Sequence, residues 1–161
     1  MPNSRLVYIA LGSNVGDRAA MLARAVEKMN RSGLRVLRQS SLYETEPVGG
    51  PPQPWFLNAV VEAETELTPQ LVLHALQDIE QAMGRQRSIV CGPRTLDLDI
   101  LLDGENAIRS GELEVPHPRL PERRFVLAPL AELAPRLIHP VLHKTVAELL
   151  AETSDGAQVR L

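Results

Sequence analysis

Gly92-Pro93-Arg94-Thr95-Leu96-Asp97-Leu98-Asp99-Ile100-Leu101-Leu102 is the stretch on which the reading of this chain turns. Leucine or isoleucine at 96, 98, 100 and 102 alternates with aspartate at 97 and 99, the period-two pattern of a strand with one apolar face. Side chains alternate across a strand, so both carboxylates project the same way, with Cα atoms about 6.5–7 Å apart. Two like charges on one face of an apolar strand repel unless cations lie between them, and a pair of Mg²⁺ ions about 3.5–4 Å apart fits that geometry. Arg94, behind Gly92-Pro93, adds a planar fork that matches phosphate. Taken alone, the pattern equally describes a half-buried strand with an acidic outer face. Its neighbours must decide.

Outward from this run, strand and helix signals alternate. Leu6 to Leu11 is a short apolar run and reads as a first strand. Asp17 then offers an N-cap, Leu22, Val26 and Met29 recur at helical spacing, and Gly33 supplies the stop. Residues 34–42 read as a second strand. Residues 44–54 hold Pro47, Gly49, Gly50, Pro51, Pro52 and Pro54 and read as a long loop. A third strand is expected over 56–65, with Leu57, Ala59, Val61 and Ala63 on one face and Phe56, Asn58 and Val60 on the other. Thr68-Pro69 opens a second helix, striped by Val72, Leu76, Ile79 and Met83 and closed by Gly84. A second loop, 85–94, leads into the aspartate strand. Beyond it come a proline-punctuated stretch over 112–122, an apolar helix over 125–133, an amphipathic helix over 145–152 and a frayed tail from Ser154.

Strand–helix–strand–strand–helix–strand is the order of an α+β, ferredoxin-like βαββαβ core. Right-handed crossovers place both helices on one sheet face. The added C-terminal helices then share the other face with a site, giving three α/β/α layers. Leu96, Leu98, Ile100 and Leu102 are expected to face the first two helices, and Asp97 and Asp99 the opposite side, together with Phe56 and Asn58.

The bulk properties narrow the function. The 161 residues read as one domain spanning 1–161, with 44% hydrophobic residues but only one Trp, two Tyr and two Phe, so the core is aliphatic. A net charge of −3 with both signs interspersed argues against a general nucleic-acid or membrane surface. A single cysteine, Cys91, excludes an internal disulfide framework and a cysteine-rich zinc site, and suits a reducing, cytoplasmic compartment.

Four groups could converge on the open face. Asp97 and Asp99 are hard oxygen ligands. Arg85, Arg87 and Arg94 bracket one loop with no acid between them, a pattern suited to gripping a polyphosphate. Trp55, Phe56 and Asn58 combine aromatic surface with an amide, which together read a flat heterocycle by stacking and paired hydrogen bonds. Val115-Pro116-His117-Pro118-Arg119, with Arg123, Arg124 and Phe125, sets a histidine and several arginines beside another aromatic. Gly12-Ser13-Asn14-Val15-Gly16-Asp17 lacks the lysine and spacing of a P-loop and reads as a turn. His74, His139 and His143 show no metal-ligand spacing.

These residues carry a resemblance. The chain resembles the hydroxymethyl-dihydropterin pyrophosphokinases of folate biosynthesis over nearly its whole length. The matching stretches include Tyr8-Ile9-Ala10-Leu11-Gly12-Ser13-Asn14, Ser41 to Gly49, Phe56-Leu57-Asn58-Ala59, Ile79-Glu80, Gly84-Arg85-Gln86-Arg87, Gly92 to Leu102 and Val115-Pro116-His117. The resemblance implies pyrophosphoryl transfer from ATP to a reduced pterin with release of AMP, by a monomer that needs no nucleic acid or membrane. It implies two Mg²⁺ held by Asp97 and Asp99. Thr45, Pro47, Val48, Phe56, Asn58 and Phe125 would bind the pterin. Gln77, Glu80, Arg87, His117 and Arg123 would contact the nucleotide, and Arg85 and Arg94 would act on the phosphates in catalysis. Val90 and Cys91 stand where such enzymes often carry a basic residue and a tryptophan, and Pro118 stands where an aromatic often follows the histidine.

Two rivals use the same residues differently. A nucleotidyltransferase or ordinary kinase would release pyrophosphate or ADP rather than AMP. A non-catalytic ferredoxin-like binding module would need no paired aspartates, and an RNA binder would call for a basic chain with sheet aromatics.

Overall fold

A computed structural model describes residues 4–47, 52–84, 96–156 and 159–160. Strand β1 (Arg5–Ser13) leads into helix α1 (Arg18–Asn30), whose cap is Asp17: its carboxylate accepts from the Ala20 N–H at 3.1 Å. The helix ends where Gly33 takes φ +89° and the Leu34 N–H returns to the Met29 carbonyl at 3.1 Å, a left-handed turn that a side chain would strain.

The second predicted strand is two strands, β2 (Arg35–Gln39) and β3 (Tyr43–Thr45), both paired with β4 (Phe56–Thr65). A register shift between Val36 and Arg38 and the intervening Ser40 cause the break. Ser40 donates its N–H to the Val60 carbonyl and accepts the Val60 N–H on its hydroxyl, both at 2.9 Å, so it replaces a ladder step with a side-chain bond. Strand structure therefore runs to Thr45, and the predicted loop is correspondingly shorter.

Helix α2 (Pro69–Ala82) starts at Thr68, whose hydroxyl accepts the Leu71 N–H at 3.2 Å, with Pro69 in the first turn as expected. Strand β5 (Asp97–Asp103) follows. A hairpin of β6 (Ile108–Ser110) and β7 (Leu113–Val115) then occupies part of the stretch read as irregular. Three-residue strands are too short to show periodicity. Helices α3 (Arg124–Leu133) and α4 (Val146–Glu152) come next, the latter opened by a reciprocal Thr145–Glu148 capping box. The tail is not frayed throughout: β8 (Val159–Arg160) pairs with β3 at Glu44 and Thr45.

The main sheet runs β5-β1-β4-β3-β8, with β2 also on β4, and the neighbouring pairs are antiparallel. This is the ferredoxin-like order, layered between two pairs of helices. Val7, Ile9, Leu11, Leu57, Ala59, Val61 and Ala63 pack with Leu22, Met29, Val72, Leu76 and Ile79 on one side of it. Tyr8, Val60, Leu101 and Leu102 pack with Leu127, Leu130, Val146 and Leu149 on the other.

One residue departs from the expected alternation. Tyr8 pairs with Leu102 and Ile9 with Ile100, so Leu101 is the extra residue of a bulge. Leu96, Leu98 and Ile100 face α1 and α2 as predicted, but beyond the bulge the strand is inverted and Leu102 joins the opposite cluster.

Candidate active site

The second face is only partly filled by α3 and α4. At its open end lies a cleft of about 420 Å³. Its floor is the C-terminal end of β1. Gly12 pairs with Asp97 on one side and Asn58 on the other, and Ala10 pairs with Asp99 and Val60. Directly opposed residues of an antiparallel pair share a face, so both aspartates and the asparagine rise around a floor of glycine and alanine.

The smallness of Gly12 is required. A Cβ built there would sit 2.5 Å from the Asn58 amide oxygen. Asn58 is 8% exposed and donates its amide N–H to the Thr45 hydroxyl, itself 2% exposed. The amide is thereby held in one orientation above Gly12. Phe56 and Phe125, both half-buried, line the cleft with Pro47 and Gln53. Flat aromatic surface and an oriented amide meet in one half of the cleft; the carboxylates of Asp97 and Asp99 form the other.

The outer edge of β5 is covered in a way that fixes those carboxylates. Glu80, 5% exposed on α2, accepts the N–H of Leu98 at 2.8 Å, between the two aspartates. Further along, the His117 N–H donates to the Leu101 carbonyl at 2.9 Å. The His117 ring accepts the Arg119 N–H on Nδ1 at 3.1 Å, which leaves its proton on Nε2. Burial pushes its pKa down from 6.5 to about 4, helped by the Arg123 charge and opposed by Glu114 and Asp97. His117 is a neutral hydrogen-bonding group near the aspartates.

The cleft brings together Thr45, Pro47, Phe56, Asn58, Asp97, Asp99, Arg123 and Phe125 of the residues singled out from sequence. Gln77, Glu80 and His117 are not on its wall. Gln77 lies beside Glu112, its amide 3.4 Å from that carboxylate, and Glu80 and His117 brace β5 as described. Val48, Arg85, Arg87 and Arg94 lie outside the described residues, as do Val90 and Cys91.

Gly12, Glu46, Gln53, Arg119, Glu122, Ser154 and Asp155 also line the cleft. Gly12 was legible only as a turn glycine; its small size matters because of a partner 46 residues away in sequence, and no local pattern shows that. Among the described lining residues Glu46, Asp97, Asp99, Glu122 and Asp155 face Arg119 and Arg123. So acidic a wall accepts a polyanion only with added positive charge. Among the described residues no cluster of three or more histidine, cysteine or acidic side chains is poised to hold a metal by itself. Two carboxylates on one strand are, however, the kind of partial shell that Mg²⁺ completes with water and substrate phosphates.

A family profile described as 7,8-dihydro-6-hydroxymethylpterin-pyrophosphokinase (HPPK) matches residues 8–135. The 2-amino-4-hydroxy-6-hydroxymethyldihydropteridine pyrophosphokinase of Bacillus subtilis is 50% identical over 131 residues, 81% of this chain and 78% of that protein. The enzyme of the same name from Methylorubrum extorquens is 47% identical over 146 residues, covering 90% and 91% of the two chains. The folic acid synthesis protein fol1 of Pneumocystis carinii is 43% identical over 153 residues, and the chain spans only 21% of its length. Among solved structures, wild-type HPPK-DHPS of Plasmodium falciparum with pterin and p-hydroxybenzoate superimposes with a TM-score of 0.71 at 18% identity. That match covers 92% of this chain and 42% of that one, a likeness of fold. Among the described residues no helix is long and apolar enough to cross a membrane.

Proposed function

The chain belongs to the 7,8-dihydro-6-hydroxymethylpterin-pyrophosphokinase family, and from that premise we propose that it transfers the pyrophosphoryl group of ATP to the hydroxymethyl oxygen of 6-hydroxymethyl-7,8-dihydropterin, a step of folate biosynthesis. The observation that carries this reading is the face shared by Asn58, Gly12 and Asp97. It sets an oriented amide and two phenylalanines beside a pair of carboxylates in one cleft. It acts as one domain, a cytoplasmic monomer.

The Asn58 amide and Thr45 read the donor–acceptor edge of the pterin, while Phe56 and Phe125 take its faces. Val48, next after Pro47 in sequence, would add a main-chain contact to the pterin. Arg119 and Arg123, with Arg85, Arg87 and Arg94 from the segment that precedes β5, neutralise the triphosphate. Asp97 and Asp99 would hold two Mg²⁺, and those ions would supply the charge that lets phosphate oxygens approach so acidic a wall. Gln77, Glu80 and His117 are the nucleotide-side residues: Glu80 and His117 act behind the wall by holding β5, and Gln77 lies beside Glu112.

In the reaction the hydroxymethyl oxygen forms a bond to the β-phosphorus. The bond from that phosphorus to the α,β-bridging oxygen breaks, AMP leaves with the electron pair, and the hydroxymethyl proton is released. Phosphoryl transfer asks the protein mainly for alignment and charge stabilisation, and a loose transition state needs little deprotonation of the nucleophile.

The test is incubation with ATP, Mg²⁺ and 6-hydroxymethyl-7,8-dihydropterin, followed by separation of the nucleotides. AMP and the pterin diphosphate in equal amounts are expected. ADP would instead mark an ordinary kinase, and free pyrophosphate a nucleotidyltransferase.

A further inference from the structure

Helix α3 carries Phe125 into the cleft but does not cap itself. Its N-cap residue is Arg123, which makes no side-chain capping bond, and there is no acidic residue in its first turn. The missing acceptor comes from Asp155, 31 residues later. The Asp155 carboxylate accepts the Arg124 N–H at 2.9 Å, and its main-chain carbonyl accepts the Arg124 Nε–H at 3.0 Å. Both bonds fall on the residue between Arg123 and Phe125, which line the cleft together with Asp155 itself.

The same C-terminal segment also reaches the opposite wall. Val159–Arg160 pairs with β3 at Thr45 and Glu44. The Arg160 guanidinium lies 4.3 Å from the centre of the Trp55 ring and 3.5 Å from the Glu44 carboxylate. Asp155 on one side and Val159–Arg160 on the other thus tie the C-terminal segment to α3 and to β3.

We propose that Asp155 is a positioning residue for pterin binding: by capping α3 from outside, it sets the Phe125 ring against the Asn58 and Phe56 side. A carboxylate there satisfies an N–H that the helix cannot satisfy and places negative charge at the positive end of the helix dipole. The first turn of α3, and with it Phe125, keeps one orientation only while that bond is made. This rests on the pyrophosphokinase reading, since the ligand is its pterin.

Steady-state kinetics of the full chain, with AMP as the readout, test it. Asp155→Ala should raise KM for 6-hydroxymethyl-7,8-dihydropterin about five- to tenfold, the size of losing one helix cap, with kcat within about twofold. Asp155→Asn keeps an acceptor at the same place and should bring KM back to within about twofold of wild type. A merely structural role would lower the amount of active enzyme, hence kcat, and leave KM alone. If the alanine variant melts near the assay temperature, Asp155→Glu serves instead: it keeps the charge, displaces the acceptor, and should also raise KM. An unchanged pterin KM in the alanine or glutamate variant, or an equal rise in the alanine and asparagine variants, overturns the positioning role. A wild type that releases no AMP overturns the pyrophosphokinase reading, and this inference with it.

Discussion

The two ends of β5 carry the same residue type to opposite fates. At the start of the strand Asp97 and Asp99 are half-buried on the wall of a 420 Å³ cleft. At its end Asp103 is fully buried, paired with the Arg5 guanidinium through two of its nitrogens, one at 2.9 Å, and accepting from the Asn106 amide at 3.0 Å. Only the bulge at Leu101 separates them. With regular alternation Asp103 would follow Asp97 and Asp99 onto the cleft face; with one residue inserted it turns to the α1–α2 side, where Arg5 waits. The first pair has small neighbours and room for cations. The last has a fixed counter-ion and no room. One carboxylate on a strand says little about its role until its partner is known.

The sharpest way to break this comparison is to remove one carboxylate from each end. Asp97→Ala should lower turnover about 10³-fold or more while leaving the melting temperature within a few degrees, because it removes a group that stabilises transferred charge. Asp103→Ala should do the reverse. It strands a partly buried guanidinium and the Asn106 amide that shared the carboxylate, at a cost of about 1–3 kcal/mol. That lowers Tm by up to roughly 10 °C in a chain of this size, with kcat well below Tm unchanged. Differential scanning calorimetry and the AMP assay on the same preparations decide the matter. Equal loss of activity in both variants would show that the two ends are not functionally separate.

That division was half legible beforehand. The alternation from Leu96 to Ile100 announces a strand with both aspartates on one face, and the spacing of β1, α1, β4 and α2 announces which face the helices take. The bulge was hidden because Leu101 and Leu102 are alike: either can sit in an apolar cluster, and the structure puts both in the same one. A leucine at 101, in phase with Asp97 and Asp99, was the one available hint. The roles of Ser40, Glu80 and Asp155 depend on partners 18 to 31 residues distant, with no periodicity linking them. The lone Arg123 where α3 needs a cap was a usable signal that some other segment must supply the acceptor.

A subtler probe acts on the floor of the cleft rather than on the strand. In Gly12→Ala the new methyl would meet the Asn58 amide oxygen at 2.5 Å, so the amide must swing away from Thr45. The pterin KM should rise about tenfold, or about 1.4 kcal/mol of lost binding, while the ATP KM stays within about twofold. An equal rise in both would mean that the floor acts on the whole cleft, and the separation into a pterin half and a phosphate half would fail.

The last probe acts on the bulge between the two ends. His117 grips the carbonyl of Leu101, the bulge residue, and its ring stays neutral because burial and Arg123 hold its pKa at about 4 against an ordinary 6.5. Between those values the unfolded chain binds a proton that the native chain refuses, so stability rises with pH across the window and falls as the solution is acidified from 6.5 toward about 4. The loss should be about 1–2 kcal/mol after allowing for the partial exposure of the ring. Chemical denaturation at pH 7 and pH 5 measures it. His139, pushed down by burial and by His143, contributes with the same sign, so His117→Gln should flatten the dependence without abolishing it. A slope unchanged by that substitution would place the acid sensitivity elsewhere and leave the bulge held by the His117 backbone alone.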